Sequence, residues 1–390
     1  MSGTDWRRIL VLASAVGFFE ALLFSALAPL LPDFEEGLGL SKASAGLLTS
    51  AYAAGAFIGA LPSIWAARRF GVKATVVAGL VLLAVSSAAF TVPESAWLVF
   101  AARIGQGAGS AFAYTGALAW LAAVAPPARR GELIGVTFAA TFSGELAGPL
   151  LGAVAAWAGL ALVFSIVTAL AVLVAAVTAA IPGPSGAERL AAPSLRALVS
   201  NRVVHLAAWL IALTALLLGV LGVLAPLRLD ELGWGPGAIG AVFAIAALLQ
   251  AAANPGIGRV ADARGHTSLM RAGLIVSAMA SALLVLDERA LFYAAIVVTA
   301  AVAYATLWTP ALALLSRTLE HRGFDQAFGF GLMSAAWPPG FAIGAAAGGA
   351  LAGATRDAWP YLLSAVLCLL SVRLLGLAAP RASAHGLETQ

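Results

Sequence analysis

Charge is the first thing this chain is short of. Only 10% of its 390 residues are Asp, Glu, Lys or Arg, where an average soluble domain carries roughly 25%. With 62% hydrophobic residues, it reads as an integral membrane protein. Cysteine is nearly absent too. Cys368 stands alone in an apolar run, which excludes an intramolecular disulfide and a cysteine-based zinc cluster. The four histidines are scattered, so no metal site is expected. There is no G-x-x-x-x-G-K-[ST] phosphate loop, and neither a nucleotide nor a cofactor is expected. The weak alternation over about ten residues that marks a membrane β-barrel is missing as well. No constellation of nucleophile, base and metal ligands points to an enzyme.

What the chain has instead is a series of long aliphatic runs. About 20 helical residues, at about 1.5 Å each, cross a hydrocarbon core of about 30 Å. Such runs predict helical spans at 8–31, 44–66, 74–93, 97–124, 132–156, 159–181, 204–227, 236–258, 268–286, 290–315, 327–353 and 358–378, twelve in all. The run after MSGTDWRR reaches about Pro32. It is too long for a signal-peptide core, lacks a cleavage site and is read as the first span. With the N-terminus in the cytoplasm, 17 Lys and Arg residues fall inside. Four, Lys42, Arg228, Arg289 and Arg356, fall outside, and Arg103 lies within a span. That asymmetry predicts cytoplasmic termini in a plasma membrane, the inner membrane of a Gram-negative source. The formal charge of +4 therefore follows topology and predicts no nucleic-acid partner. The outer loops are acidic, with Asp33, Glu35, Glu36, Glu94, Asp230 and Glu231.

The longest hydrophilic connection, PGPSGAERLAAPSLRALVSN (182–201), falls near the middle of the chain. It divides an N-terminal bundle (1–182) from a C-terminal one (203–390), with a cytoplasmic linker over 183–202. The halves echo each other. GALPSIWAARRFGVK (59–73) after the second span corresponds to GIGRVADARGHTS (256–268) after the eighth, an internal repeat.

Three motifs carry a family likeness. The loop after span two holds Gly59, Leu61, Arg69, Gly71 and Lys73, with Arg68 at the position where an acid is usual. Its second copy keeps that acid, as Gly258, Asp262, Arg264 and Gly265. Span four carries LVFAARIGQGAGSA, with Arg103, Gln106, Gly107 and Gly109. Span five carries Gly135, Gly144, Gly148, Pro149 and Gly152 in the spacing G-x8-G-x3-GP-x2-G, then Ala153 where a last glycine is usual. On these residues the chain resembles the major facilitator superfamily over essentially its whole length, and within it the drug:proton antiporter branch. The resemblance implies an all-α membrane protein of twelve transmembrane helices in two pseudo-symmetric six-helix bundles, with a substrate site near the midplane between them. A narrower likeness is to vesicular amine transporters. FFEALLFSALAPLLP (18–32) is similar to their first span, with an acid at Glu20, and GFAIGAAAGGALA (340–352) to their eleventh. The acids those transporters carry in spans ten and eleven are replaced here near Ala305 and Ser334.

Within the spans stand three clear charges, Glu20, Arg103 and Glu145. A central charge costs about 2.5–3.5 kcal/mol even on the lenient insertion scale, so each is a functional candidate for proton coupling. Glu20 lies 12 residues beyond Arg8, about 18 Å into a core of about 30 Å. A neutral glutamic acid tolerates apolar surroundings while its anion attracts a cation, so proton and substrate compete for it. The alternative is an acid that only links helices. Glu145 and Arg103 sit at matching depths on consecutive spans, roughly 21 Å from one face and 9 Å from the other. They are expected either to pair or to leave Glu145 free to titrate, and a pair would make Glu20 the main titrating site. Gly144, Gly148 and Gly152 suit close helix contact, and Pro149 a bend, together sealing one gate. Arg69, Gly71, Asp262 and Arg264 in the repeated loop are further gating candidates, or serve topology alone.

Substrate-binding candidates are Glu20, the aromatic residues Phe19, Tyr52, Tyr114, Tyr304, Trp308 and Trp337, and the amides Gln106, Gln250 and Asn254. Pro338 and Pro339 are expected to interrupt span eleven beside the cavity. The reading that unites these features is a monomeric secondary transporter, a proton-coupled antiporter exporting small amphipathic or cationic organic compounds by alternating access. Its partners are that substrate, protons and the lipid bilayer. The alternative is an importer or facilitator of a nutrient, amine or polyamine on the same fold.

Overall fold

The computed structural model describes residues 5–93, 95–126, 129–183, 202–286, 289–320 and 326–378. They form α1 (Asp5–Ser25), α2 (Leu31–Leu38), α3 (Lys42–Phe70), α4 (Val72–Ala88), α5 (Ala96–Val124), α6 (Arg130–Ala158) and α7 (Leu160–Ala180) in the first half. The second half holds α8 (Arg202–Glu231), α9 (Pro236–Arg264), α10 (His266–Leu283), α11 (Ala290–Ala305), α12 (Trp308–Glu320), α13 (Gln326–Ala354) and α14 (Ala358–Ala378). No strand occurs among the described residues. Among the described residues, ten stretches are long and apolar enough to cross a membrane. The shorter Thr267–Leu283 and α13 complete twelve crossings in two six-helix bundles. The linker expected at 183–202 lies almost wholly outside the described residues.

Three expected spans differ in continuity, and proline explains two of them. The first span is broken: α1 stops at Ser25, a 3-10 turn covers Ala28–Leu30, and α2 resumes at Leu31. Pro29 has no N–H for the Ser25 carbonyl, and its ring crowds that carbonyl. The tenth span breaks between Ala305 and Trp308, where Pro310 stands four residues after Thr306. Span eleven, expected to be interrupted, instead runs unbroken from Gln326 to Ala354 through Pro338 and Pro339. Membrane helices tolerate proline where neighbouring helices support the freed backbone, and here α13 is clamped against α8 immediately after the two prolines.

That clamp is one half of a repeated device. A β-carbon at Gly144, Gly148 or Gly152 of α6 would run into the main-chain carbonyls of Phe18, Leu22 or Ala26 in and just after α1. In the second half, β-carbons at Gly340 and Gly344 of α13 would run into the carbonyls of Ala212 and Leu216 of α8, and Gly348 faces Val220. Small residues at every fourth position let both helix pairs approach backbone to backbone, the contact that holds bundles together where lipid removes the hydrophobic drive. The loop repeat is equally literal. Gly71 joins α3 to α4 with φ of 89°, and Gly265 joins α9 to α10 with φ of 85°, a left-handed region that disfavours any side chain.

Candidate functional site

A cavity of about 110 Å³ lies where the two halves meet. The first half lines it with Phe24, Ser25, Thr49, Arg103, Glu145 and Pro149, and the second with Leu218, Leu221, Gly222, Phe243, Gln250, Trp337 and Phe341. Both charges come from the first half. Apart from Gln250, the second-half wall is aliphatic and aromatic. The repeat shows how the asymmetry arises. Superposing the two glycine ladders sets Phe341 at the place of Glu145, Thr214 at that of Glu20 and Leu218 at that of Phe24.

Arg103 is 3% exposed. Its guanidinium donates to the main-chain carbonyls of Leu23 (2.9 Å) and Phe24 (3.2 Å) and to Gln106 Oε1 (3.2 Å), and it lies 4.7 Å from the ring centre of Tyr52. The last carbonyls of a helix have no helical partner and carry its negative dipole end. The break after Ser25 presents two of them to Arg103. The ion pair, one of the two arrangements expected for Arg103 and Glu145, is not formed: both line the cavity, but the guanidinium caps α1. The single hydroxyl proton of Ser25 lies between the main-chain carbonyls of Ala21 (2.8 Å) and Glu145 (3.0 Å), which brings α6 against the same broken end.

Glu20 stands one turn before Phe24, outside the cavity lining, on the first-half side of that ring. The Tyr52 hydroxyl donates to its main-chain carbonyl (3.1 Å), and the Ser110 hydroxyl lies within reach of its carboxyl. Tyr114, beside Glu20, exchanges a hydrogen bond with Thr141 at 3.3 Å. Glu145 is near enough for its charge to act on Glu20. The first half thus holds two carboxyl groups, Glu145 on the cavity wall and Glu20 outside its lining.

Of the other expected residues, Gln250 and Trp337 line the cavity and Pro149 forms part of its rim. Gln106 is fully buried behind Arg103 and donates to Ser87 Oγ at 3.2 Å, supporting the site without facing it. Phe19 is buried in the first half. Tyr304 is buried against Ser281, its hydroxyl at 2.7 Å. Asn254 Oδ1 accepts from Thr309 at 3.4 Å, and Trp308 packs on the second-half core. These three do not line the cavity. Arg69 is exposed, with its guanidinium over the Phe70 ring. The side chains of Asp262 and Arg264 lie outside the described residues.

The end of the bundle away from the arginine-rich loops is closed. Lys42 Nζ of the first half binds Glu231 Oε1 (3.0 Å) and Asp357 Oδ2 (2.8 Å) of the second. Beneath it Gly46 of α3 sits against Ala345 and Gly349 of α13, and Gly240 of α9 against Pro149 of α6. Sequence reasoning did not single out Phe24, Phe243, Phe341, Ser110 or the acids on Lys42. Phe341 had a signal, since it follows Gly340 as Glu145 follows Gly144. Lys42 had another, as one of four outer cations among acidic loops.

The family model of the Major Facilitator Superfamily matches residues 13–229 and 208–389. A curated relative, the MFS-type transporter ppzB of Metarhizium rileyi (strain RCEF 4871), is 30% identical over 146 residues. That match covers 35% of this chain and 30% of the relative's length. Among solved structures, a D-xylose-proton symporter superposes with a TM-score of 0.77 at 17% identity, covering 95% of this chain and 98% of that one. A bacterial homolog of the human lysosomal transporter Spinster, inward-facing and unoccupied, gives 0.76 at 14% identity, covering 97% and 98%. At these identities the two structures speak for the fold alone.

Proposed function

The chain belongs to the Major Facilitator Superfamily, and from that premise we propose that it is a proton-coupled antiporter exporting small amphipathic organic cations by alternating access. The observation that carries this reading is the polarised cavity. Its acidic side chain, Glu145, stands on the first-half wall, while the second-half wall is aromatic and aliphatic. An organic cation fits such a site with its charged head toward Glu145 and its apolar body against Phe243, Trp337 and Phe341, whose faces attract cations as well. Arg103 leaves the carboxylate available because its guanidinium is engaged by the end of α1.

The proton has its own place, at Glu20. Two neighbouring anions repel, so a negative charge at Glu145 opposes a second one at Glu20. A cation seated at Glu145 removes that opposition, and Glu20 releases the proton. Binding one partner thus favours loss of the other, which is the exchange an antiporter needs. This division of labour replaces direct competition for Glu20. The membrane is the plasma membrane, both termini face the cytoplasm, the bundles are joined by residues 183–202, and the unit is a monomer.

Reconstitution in liposomes tests the reading. Wild-type protein should accumulate an organic cation against its own gradient, driven by an imposed pH gradient. Glu20→Gln should keep substrate counterflow but lose proton-driven accumulation, and Glu145→Gln should lose both. Full proton-driven accumulation by Glu20→Gln would overturn the assignment of the proton. Transport indifferent to pH would favour a facilitator.

A further inference from the structure

Among the described residues, Phe24 is the one large aromatic ring that the first half contributes to the cavity wall. It meets the second half edge-on, 5.1 Å from Trp337 and 4.9 Å from Phe341 between ring centres. Those two rings are stacked on each other at 5.3 Å. On its other side Phe24 meets Tyr52 at 5.4 Å. It therefore stands between the Trp337–Phe341 stack on the cavity wall and the Tyr52 ring. Its backbone is fixed as well. Pro29 ends the helix just beyond it, and its own carbonyl is held by Arg103 at 3.2 Å. A ring on so anchored a backbone cannot yield to a bulkier guest as a surface side chain would.

We infer that Phe24 sets the upper size limit of the cation this cavity accepts. The inference deepens the proposed function and rests on it. At about 110 Å³ the site is small, and truncating Phe24 extends it toward the Tyr52 ring, one face of which Arg103 covers. The opposite wall offers the reverse change. A β-carbon on Gly222 would stand at ordinary contact distance, 3.8 Å, from the tip of Phe341. Gly222→Ala therefore shortens the cavity without disturbing the backbone. Two substitutions on facing walls should shift the limit in opposite directions, a pattern that loss of stability does not produce.

The test uses purified full-length protein in detergent and the series from tetramethylammonium to tetrabutylammonium, whose charge is independent of pH, with affinity read by calorimetry. In the wild type, affinity should rise along the series to an optimum and then fall. Misfit by a methylene in a closed apolar pocket changes discrimination by about tenfold or more. Phe24→Ala should move the optimum to a longer arm and raise the affinity of the largest cation by about tenfold relative to the smallest. Phe24→Leu, which keeps more of the packing, should move it the same way by less, and Gly222→Ala should move it to a shorter arm. An optimum common to the wild type, Phe24→Leu and Gly222→Ala would overturn the role of Phe24 while leaving the antiporter reading intact. A wild type that binds no member of the series, yet transports another class of compound, would overturn both.

Discussion

Arg103 and Tyr52 stack across the interface of α3 and α5, guanidinium carbon 4.7 Å from ring centre, and together they hold α1 on both sides of its last turn. Tyr52 holds the carbonyl of Glu20, and Arg103 those of Leu23 and Phe24. Tyr52→Phe keeps the stack and loses one hydrogen bond, worth about 0.5–1.5 kcal/mol. Arg103→Lys should do more damage, because an ammonium cannot fork to two carbonyls and stack at once. Each buried carbonyl left without a partner costs about 1–3 kcal/mol. Thermal unfolding in detergent should therefore rank wild type above Tyr52→Phe and Tyr52→Phe above Arg103→Lys. A lysine variant as stable as the wild type would show that the cap on α1 carries little weight.

Since the Arg103 guanidinium is bonded to the end of α1 and makes no salt bridge with Glu145, the two should act largely independently in stability. A double-mutant cycle on unfolding free energy with Arg103→Gln and Glu145→Gln should be additive within about 0.5 kcal/mol. Coupling well above that figure would restore the direct ion pair.

The glycine motif of α6 divides into positions that touch and one that does not. A β-carbon at Gly144 would be driven into the Phe18 carbonyl, whereas Gly135 has nothing within 4 Å of its would-be β-carbon. Gly144→Ala should therefore separate α6 from α1 and lower both unfolding temperature and transport. Gly135→Ala should be neutral or slightly stabilising, by up to about 1 kcal/mol, since alanine is the better helix former. Equal losses at the two positions would refute the packing role.

These residues also show what was legible in the sequence. The helices, the halves and the glycine spacing were readable because each depends on local composition or on a fixed period. The breaks at Pro29 and Pro310 were readable in principle, since proline acts on the carbonyl four residues back. Span eleven was misread by the same rule, because support from α8 is a tertiary fact that local propensity does not contain. Depth along a helix placed Arg103 and Glu145 at one level, but depth carries no azimuth. The competitor that won Arg103, a pair of freed carbonyls, existed only because α1 ends where it does. Residues that meet across the halves, such as Phe24 with Phe341, have no sequence spacing to announce them.

Lys42 offers the sharpest test of how the far end of the bundle opens. Single exposed ion pairs contribute about 0–1 kcal/mol, but this cation serves two acids from two elements of the other half. One of them, Glu231, is also held by Arg228 at 2.9 Å. Opening that end must separate Lys42 from both acids at once, whereas closing the opposite end leaves them together. Lys42→Gln should thus shift the population toward the state open at the Lys42 end, and a shift of one or two kcal/mol is a factor of about 5–30 in population. The readout is labelling of Thr49→Cys, a cavity position, by an impermeant thiol reagent applied from that side, with the buried Cys368 replaced by Ser. Lys42→Gln should speed labelling by about that factor, and Lys42→Glu by more, because repulsion replaces attraction. Salt should speed labelling of the wild type, whose partly exposed pairs it screens over about 10 Å at 0.1 M, and leave Lys42→Gln unchanged. Labelling rates indifferent both to the substitution and to salt would mean that the glycine contacts of α3 with α13, and not the charges, keep that end closed.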